Sequence, residues 1–580
     1  MRKLNQEAIK NKRINKSDVK SFMKGTNYEI YKKLGSHPVV YNKKKGVYFA
    51  IYAPNAVMVS VVGNFNNWNY STHKMIRIDD TDIFEIFITN IAEGELYKFC
   101  IETEDGKIIY KSDPYTNGVE LRPGKASVIC NISSFQWNDD EWIKNRDEER
   151  KKNGPISIYE VDLSSWTKNG ERNYRDYAYS LAEYVNHMGY THVQLINILD
   201  DTCLAYFAPT LSYGMPSEFM YLVNYLHNKG IGVILEWNPS RVIEYDELGD
   251  KTLNYIVSNA LFWIEYMHLD GLSVGDMTNV IEKSKKKDVQ LIKNICYTVN
   301  STVRKRNPGV LMIITSVDKM INLTDDSKDN GLMFSLQWNN EWKTNFLDYM
   351  KSDHYGRNDD YKNIIFSPTY KHNENYILPI SHKEVGNKST SMLKKMPGDM
   401  LDKFENLRLA YGFIFGYPGK KLLFMGQDFA QIRPWSENWI IDWNLLEHPK
   451  HKKLNLYIQS LLKLYKESPA LYDYNETTNS IKWIDNSERI KNIFCFIRTC
   501  NDCDNILFVF NFSHKERKNF TIGVPELCEY RVLIDSNEEK YGGRLVDKKE
   551  KIMSEDSECH GQPYSIRYDL PSNGVVIFSY

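Results

Sequence analysis

The sequence lacks an excess of charge of either sign. Lys and Arg number 74 against 75 Asp and Glu, a formal net charge of −1 over 580 residues. Nucleic acid and anionic membranes, which recruit basic surfaces, are therefore not indicated as partners. An apolar run of about 18 residues is also missing, so no membrane-spanning helix is expected. The opening MRKLNQEAIKNKRINKSDVK contains no apolar segment of the kind a secretory leader needs. Cysteines are few and odd in number, nine in all. The one close pair, Cys500 and Cys503, has no second pair at metal-binding spacing. Reduced thiols, a cytoplasmic location and no cofactor or metal are the expectation. Low-complexity tracts are absent.

What is present is a chain too long for one core, so two to four domains are expected. Hydrophobic residues make up 42% and charged residues 26%, the balance of a soluble globular protein. Aromatics reach 13%, with 39 Tyr, 25 Phe and 12 Trp. Sugar faces stack well on such rings, although large cores alone account for the composition.

Residues 1–27 form a polar segment expected to be loosely held. Residues 28–135 read as short alternating strands, among them Val47–Pro54, Val57–Val62 and Tyr97–Ile101, with GNFNNWN as a turn. Frequent strands between turn residues predict a β-sandwich. Residues 136–154 are highly charged and read as a linker or surface helix. From Pro155 the pattern becomes alternating strand and helix. The predicted strands are Ile156–Val161, His192–Ile196, Gly232–Trp237, Gly271–Val274 and Leu311–Ile314. Between them the spacing predicts helices over 177–188, 219–227, 253–267 and 289–304. Parallel βαβ units at this pitch, spread over 155–474, fit a (β/α)₈ TIM barrel. Residues 475–580 read as an antiparallel β-domain, with strands at 490–497, 506–511 and 574–579.

Three groups of blocks carry a family resemblance. GNFNNWN (63–69), YKFCI (97–101) and KSDPYT (111–116) resemble the β-sandwich, carbohydrate-binding-type module of glycogen branching enzymes. ISIYEVDLSSW (156–166), YFAPTLSYG (206–214) and FMYLVNYLHNKGIGVILEWNP (219–239) resemble the first barrel strands of those enzymes. MPGDMLDKFENLRLAYGFIFGYPGKKLLFMGQDFAQ (396–431) is similar to their late-barrel segment and is the most specific block. The resemblance spans about residues 28–470 and implies the α-amylase superfamily. It also implies a retaining reaction, with a carboxylate nucleophile and a carboxylic acid about 5–5.5 Å apart, and a third Asp beside the sugar.

Set on that pattern, the chain departs from it at each catalytic motif. The family's D-G-x-R-x-D becomes Asp270-Gly271-Leu272-Ser273-Val274-Gly275, followed by Asp276. The Glu pair falls on Thr315 and Ser316, with Asp318 just beyond. The S-H-D-E motif becomes Ser381-His382-Lys383-Glu384. The early D-x-V-P-x-H motif becomes Glu236-Trp237-Asn238-Pro239-Ser240-Arg241. The loop Asp200–Ala205 is shorter than the family's and ends at Tyr206 without the usual aromatic platform. Glycine cannot form a glycosyl ester, and hydroxyls do not donate a proton at neutral pH. Lys383 and Arg241 add positive charge where an oxocarbenium-like transition state wants negative charge.

The expectation is a catalytically inactive relative of a 1,4-α-glucan branching enzyme that binds α-glucan, glycogen or an active glycogen enzyme. His382, Glu236, Arg241, Tyr206 and Trp338 are the candidate substrate contacts. Trp68, Trp166, Trp342 and Trp435 are candidate stacking groups, though structural roles account for them equally. One alternative is an active branching transferase using Asp276, Asp318 and Glu384. Another is an anion or sugar-phosphate site built on Lys383 and Arg241.

Overall fold

The computed structural model describes residues 13–151, 153–199, 205–240, 242, 251–275, 286–315, 332–353, 356–357, 375–386, 389–473, 481–484, 492–501, 503–547 and 549–580. It consists of an N-terminal β-sandwich, a central closed barrel of eight parallel strands and a C-terminal all-β domain. Among the described residues no helix is long and apolar enough to cross a membrane.

The N-terminal segment is held more firmly than its polar composition suggests. Helix α1 (Lys16–Met23) is capped by Asn15, whose side chain accepts from Ser17 N and Asp18 N while Asp18 reaches back to Asn15 N. Such a reciprocal cap satisfies donors that a helix start otherwise leaves open. Ile14 and Phe22 are buried, and Phe22 meets Tyr52 of the strand Lys44–Tyr52 edge-on at 5.3 Å. The alternate residues Val47 and Phe49 face the other way, into the sandwich core with Val59, Phe84 and Phe99. One strand thus serves two cores, as its two-residue period allows. The expectation of a loose segment is corrected for residues 13–27: Ile14 and Phe22 are buried, Lys251 Nζ donates to Met23 O at 2.8 Å and Lys33 pairs with Asp18 at 2.5 Å.

The charged stretch after the sandwich is helix α2 (Asp140–Lys151), and it is anchored. Trp142 Nε1 donates to Asp270 Oδ1 at 2.9 Å and Arg146 pairs with the same carboxylate at 3.2 Å. Asp147 accepts from Gly309 N at 2.8 Å. These contacts sit at the end of the barrel where its strands begin.

The barrel strands are β1 (Ser157–Asp162), β2 (His192–Ile196), β3 (Gly232–Trp237), β4 (Gly271–Val274), β5 (Leu311–Ile314), β6 (Leu336–Trp338), β7 (Tyr376–Ile380) and β8 (Lys420–Phe424), with β8 pairing back to β1. Inward positions Ile158, Ile234, Ile313, Leu336, Trp338, Ile377 and Leu422 fill the interior as one cluster, as a packed barrel requires. Register sets Glu160 beside Gln194, Glu236 beside Ser273, and Ser273 beside Ile313. Period two therefore carries the inward row from apolar residues at mid-barrel to polar ones at the strand ends.

The outer helices follow from their caps and apolar spacing. Helix α3 (Tyr174–Met188) starts at Asn173, whose side chain accepts from Asp176 N, and stops at Gly189 with φ +94°. Helix α4 (Pro216–Asn228) opens with Pro at its first position and buries Phe219, Leu222, Val223 and Leu226. Helix α5 (Thr252–Leu261) runs into a wider turn over Phe262–Tyr266. Helix α6 (Met400–Gly416) is exposed in its first turn and buried from Asn406 to its end. Its two glycines let the C-terminal domain approach. A Cβ on Gly412 would lie 2.5 Å from Val575 Cγ1, and one on Gly416 would lie 2.7 Å from the Phe508 ring. That domain is a six-stranded sheet plus the pair Arg517–Val524 and Tyr564–Leu570, around Cys495, Leu507, Val532 and Phe578. Within it Cys500 and Cys503 lie side by side, with Cα atoms 5.8 Å apart.

Candidate functional site

The C-terminal ends of the barrel strands are where this fold places chemistry. Asp270 and Gly271, which set the register of the β4 motif, lie at the opposite end. Asp270 accepts from Val233 N at 2.7 Å and from His227 Nε2 at 2.9 Å, besides Trp142 and Arg146. A Cβ on Gly271 would meet Leu311 O at 2.7 Å. This pair is therefore a packing device, and the chemistry of the motif rests on residues nearer the C-terminal end of the strand.

At that end of β4, Ser273 is fully buried and its hydroxyl finds no partner among the described residues. Gly275 is two residues on. Among the described residues a Cβ built there would meet only Thr315 Oγ1, at 3.9 Å. Thr315 closes β5, its N–H donating to Val274 O at 3.0 Å. Its hydroxyl is likewise buried and unpartnered among the described residues. Asp276, Ser316, Asp318, Arg241 and the stretch 200–204 lie outside the described residues.

Across the mouth, Glu160 on β1 is fully buried and gathers three donors. Gln194 Nε2 lies at 3.0 Å, His382 N at 2.8 Å and His382 Nδ1 at 3.0 Å. Burial pulls the His382 pKa down, but Glu160, aided by Glu236, overrides it and holds it up at about 9. His382 is therefore an imidazolium at neutral pH, locked to Glu160. Glu236 at the end of β3 is half-buried. Asp162, one further inward position along β1, accepts from Ser164 and Ser165 at 2.6 and 2.5 Å.

The short helix His382–Val385 after β7 decides where the remaining charges go. Ser381 caps it, and Glu384 folds back to accept from Ser381 N at 2.9 Å and Ser381 Oγ at 2.6 Å. Glu384 also pairs with Lys343 at 2.6 Å. Lys383 extends over the buried Trp338 ring, its ammonium 5.7 Å from the centroid. Trp338 stacks under a cation, and its indole N–H is unpartnered among the described residues.

Of the residues singled out in the sequence, the strand ends bring together Gly275 and Thr315, and the loop after β7 brings Lys383 over Trp338 and His382 onto Glu160. Glu384 is turned into a cap and an ion pair. Tyr206 is buried, and its carbonyl accepts from Asn259 and Trp263. Trp166 and Trp342 are buried in the core, the first edge-on to Trp443 and the second stacked on Phe346, so neither offers a face to a ligand. Trp435 is half-buried beside the mouth, edge-on to His382 and bonded to Ser165 Oγ at 2.8 Å. Trp68 lies on the β-sandwich and is 36% exposed. Sequence reasoning passed over Glu160 and Gln194. The signal was there: a carboxylate inside a strand otherwise apolar enough to be fully buried.

Comparison with known proteins agrees with this layout. Residues 33–116 match the family model for carbohydrate-binding module 48 (isoamylase N-terminal domain), and residues 483–580 match the alpha amylase C-terminal all-beta domain. Over 97% of its length the chain is 38% identical to the 1,4-alpha-glucan branching enzyme GlgB of Butyrivibrio fibrisolvens, covering 98% of that protein. It is 34% identical to the enzyme of the same name from Geobacillus stearothermophilus, over 96% of this chain and 94% of that one. Among solved structures it resembles a type I pullulanase of Bacillus subtilis in complex with maltose. The TM-score is 0.68 at 17% identity, covering 94% of this chain and 85% of that one. A pullulanase of Anoxybacillus with maltotetraose also gives 0.68, at 13% identity, covering 94% of this chain and 87% of that one. From sandwich to terminal sheet, the chain belongs to the 1,4-α-glucan branching enzyme family.

Proposed function

We propose that this chain binds α-glucan without branching it. The observation that supports the reading best is the end of β4 and β5, where Gly275 offers no side chain and the nearest group among the described residues is the Thr315 hydroxyl. Retaining glycoside chemistry uses a carboxylate nucleophile and a carboxylic acid about 5–5.5 Å apart. In the family pattern those roles fall on Gly275 and on Thr315 or Ser316, and the third Asp falls on Lys383. Removing a covalent nucleophile alone costs about 10⁶ in rate where it has been dissected. The Lys383 ammonium adds positive charge beside the space where an oxocarbenium ion would form, whereas the charge of His382 is met by Glu160. The carbohydrate-binding module, with exposed Trp68, supplies a surface for a neutral polysaccharide, and glycogen or another α-glucan in the cytoplasm is the partner proposed.

A second reading is an active branching transferase with Asp276 and Asp318 as relocated carboxylates. What favours it is the 38% identity to a branching enzyme along 97% of the chain. Glu384 supports it less, being committed to Ser381 and Lys343.

One experiment separates them. Pure protein is incubated with amylose, and iodine colour and new α-1,6 chain ends are followed, while glycogen is tested for retardation in a native gel. Retardation with no new branch points is expected. Branching by the wild type that disappears in Asp276→Ala would overturn the first reading and establish the second.

A further inference from the structure

The loop that follows β8 crosses the rim of the barrel mouth and is tied down on both sides. Trp435 N donates to Val385 O at 2.8 Å, at the end of the short helix after β7. Trp435 Nε1 donates to Ser165 Oγ at 2.8 Å, and Ile441 N donates to Ser165 O at 2.9 Å, just beyond the end of β1. Between these anchors Trp439 N closes a turn onto Ser436 O at 3.1 Å. A turn pinned at Trp435 and at Ile441 has little freedom to fold in on itself, so the side chains it turns outward stay outward.

Those side chains are Trp439, 54% exposed, and Ile440, 61% exposed. Trp439 is the most exposed of the twelve tryptophans, well ahead of Trp68. Burying an indole is among the larger gains open to a folded chain, and a half-open one forgoes it. The Arg433 guanidinium lies over the ring, 5.7 Å from its centroid, and steadies it. Arg433, Trp435, Trp439 and Asp442 line a depression of about 20 Å³. That is too small to enclose a ligand, so the loop offers a surface for one to lie across. The surroundings select the kind of ligand. Glu437, Asn438 and Asp442 are exposed along the same loop as Arg433, and mixed charges give an anion no advantage. In this loop the exposed apolar side chains are Trp439 and Ile440 alone, a patch narrower than the apolar core of a protein interface. One indole bordered by hydrogen-bonding side chains suits a sugar ring, which has an apolar face and hydroxyls at its edge.

We infer that Trp439 is a stacking platform for an α-1,4-glucan chain on the rim of the mouth, with Arg433 and Asp442 placed to meet its hydroxyls. The inference rests on the glucan binding proposed above and deepens it by naming where on the barrel the chain lies. Trp435, on the same loop, is edge-on to His382 at 5.8 Å, so the platform is continuous with the altered mouth and needs none of the lost carboxylates.

Fluorine NMR of the full chain labelled with fluorotryptophan tests it, the Trp439 resonance being the one missing from Trp439→Phe. Maltoheptaose is expected to shift that resonance saturably, and cellohexaose to leave it in place. In the native gel Trp439→Ala is expected to weaken glycogen retardation at least about threefold, the scale of one aromatic stacking contact, and Trp439→Phe to weaken it less. A Trp439 resonance that stays in place while glycogen still retards the protein overturns the platform and leaves the proposed function standing. An equal shift with cellohexaose overturns its assignment to α-glucan. A resonance that moves with protein concentration in the absence of sugar makes the patch a contact between two copies of the chain and overturns the platform. Loss of both the shift and the retardation overturns the platform and the proposed function together. Branch formation by the wild type bears on the proposed function alone, since the shift reports binding and not chemistry.

Discussion

His382 is the residue whose state most depends on its neighbours. Its folded pKa of about 9 lies above the ordinary value, because Glu160 outweighs burial. The stability it contributes is therefore complete below an unfolded value of about 6.5 and fades as pH rises through 9. A ring-proton titration by NMR should place His382 near 9 in the wild type and well below that in Glu160→Gln. Lys383→Ala should move it further up, since the ammonium opposes the proton. Gly275 offers a steric contrast. Among the described residues Gly275→Ala meets nothing closer than 3.9 Å, and it is expected to leave the melting temperature nearly unchanged.

In the sequence, intact neighbours set the register of two of the proposed departures from the family pattern. Ser381, His382 and Glu384 bracket Lys383, and Asp270-Gly271 fixes Gly275. The directions of the side chains were not legible. Nothing local to 381–384 says that Lys383 lies over Trp338 or that Glu384 turns to Lys343, because both partners come from elsewhere in the chain. Glu160 escaped notice for a related reason. In a strand it counts as one more alternating position, and only the closed barrel brings Gln194 and His382 to it.

Among elements, helix α6 carries the join between barrel and C-terminal sheet. Gly412→Val should overpack the contact with Val575 and Tyr457, whose hydroxyl oxygen lies 2.8 Å from a Cβ built there. A cost of about 1–3 kcal/mol is expected, read as a lower midpoint in urea with the barrel and terminal domain losing their common transition. The strands and helices of the first half of the barrel were legible from periodicity, and the predicted β2, β3, β4 and β5 agree with the observed bounds. Helix α1 was not, because two buried residues, Ile14 and Phe22, are hidden in a polar stretch whose docking surface is the distant strand Lys44–Tyr52. Strands β6, β7 and β8 and helix α6 itself were not marked by pattern.

At the scale of the whole molecule, a buried charge network ties the linker to the barrel floor. His227 Nδ1 lies 2.7 Å from Asp139 and its Nε2 lies 2.9 Å from Asp270, while His268 also bonds Asp139 at 3.0 Å. Burial opposes charge at His227, yet Asp270 and Asp139 raise its pKa. Burial likewise works against both carboxylates, yet His227, with His268 at Asp139 and Arg146 at Asp270, holds them below the ordinary range. Their contribution is present above about pH 4 and is lost as pH falls through the depressed values. The share of His227 is lost as pH rises through its raised value. Thermal stability should therefore pass through a plateau between these limits. His227→Ala should leave two buried carboxylates short of a partner, costing about 3–5 kcal/mol, and should narrow that plateau in a calorimetric pH series.

Asp270 also bears on how such chains are recognised. It serves the floor of the barrel through Trp142, Arg146, His227 and Val233, and Gly271 beside it leaves room for the Leu311 carbonyl. Both demands are met whether or not anything reacts at the other end of the same strand. A pattern search anchored on this dipeptide therefore detects the architecture and is blind to the chemistry. An activity label passed along with the architecture needs its own check at the residues that close the strand.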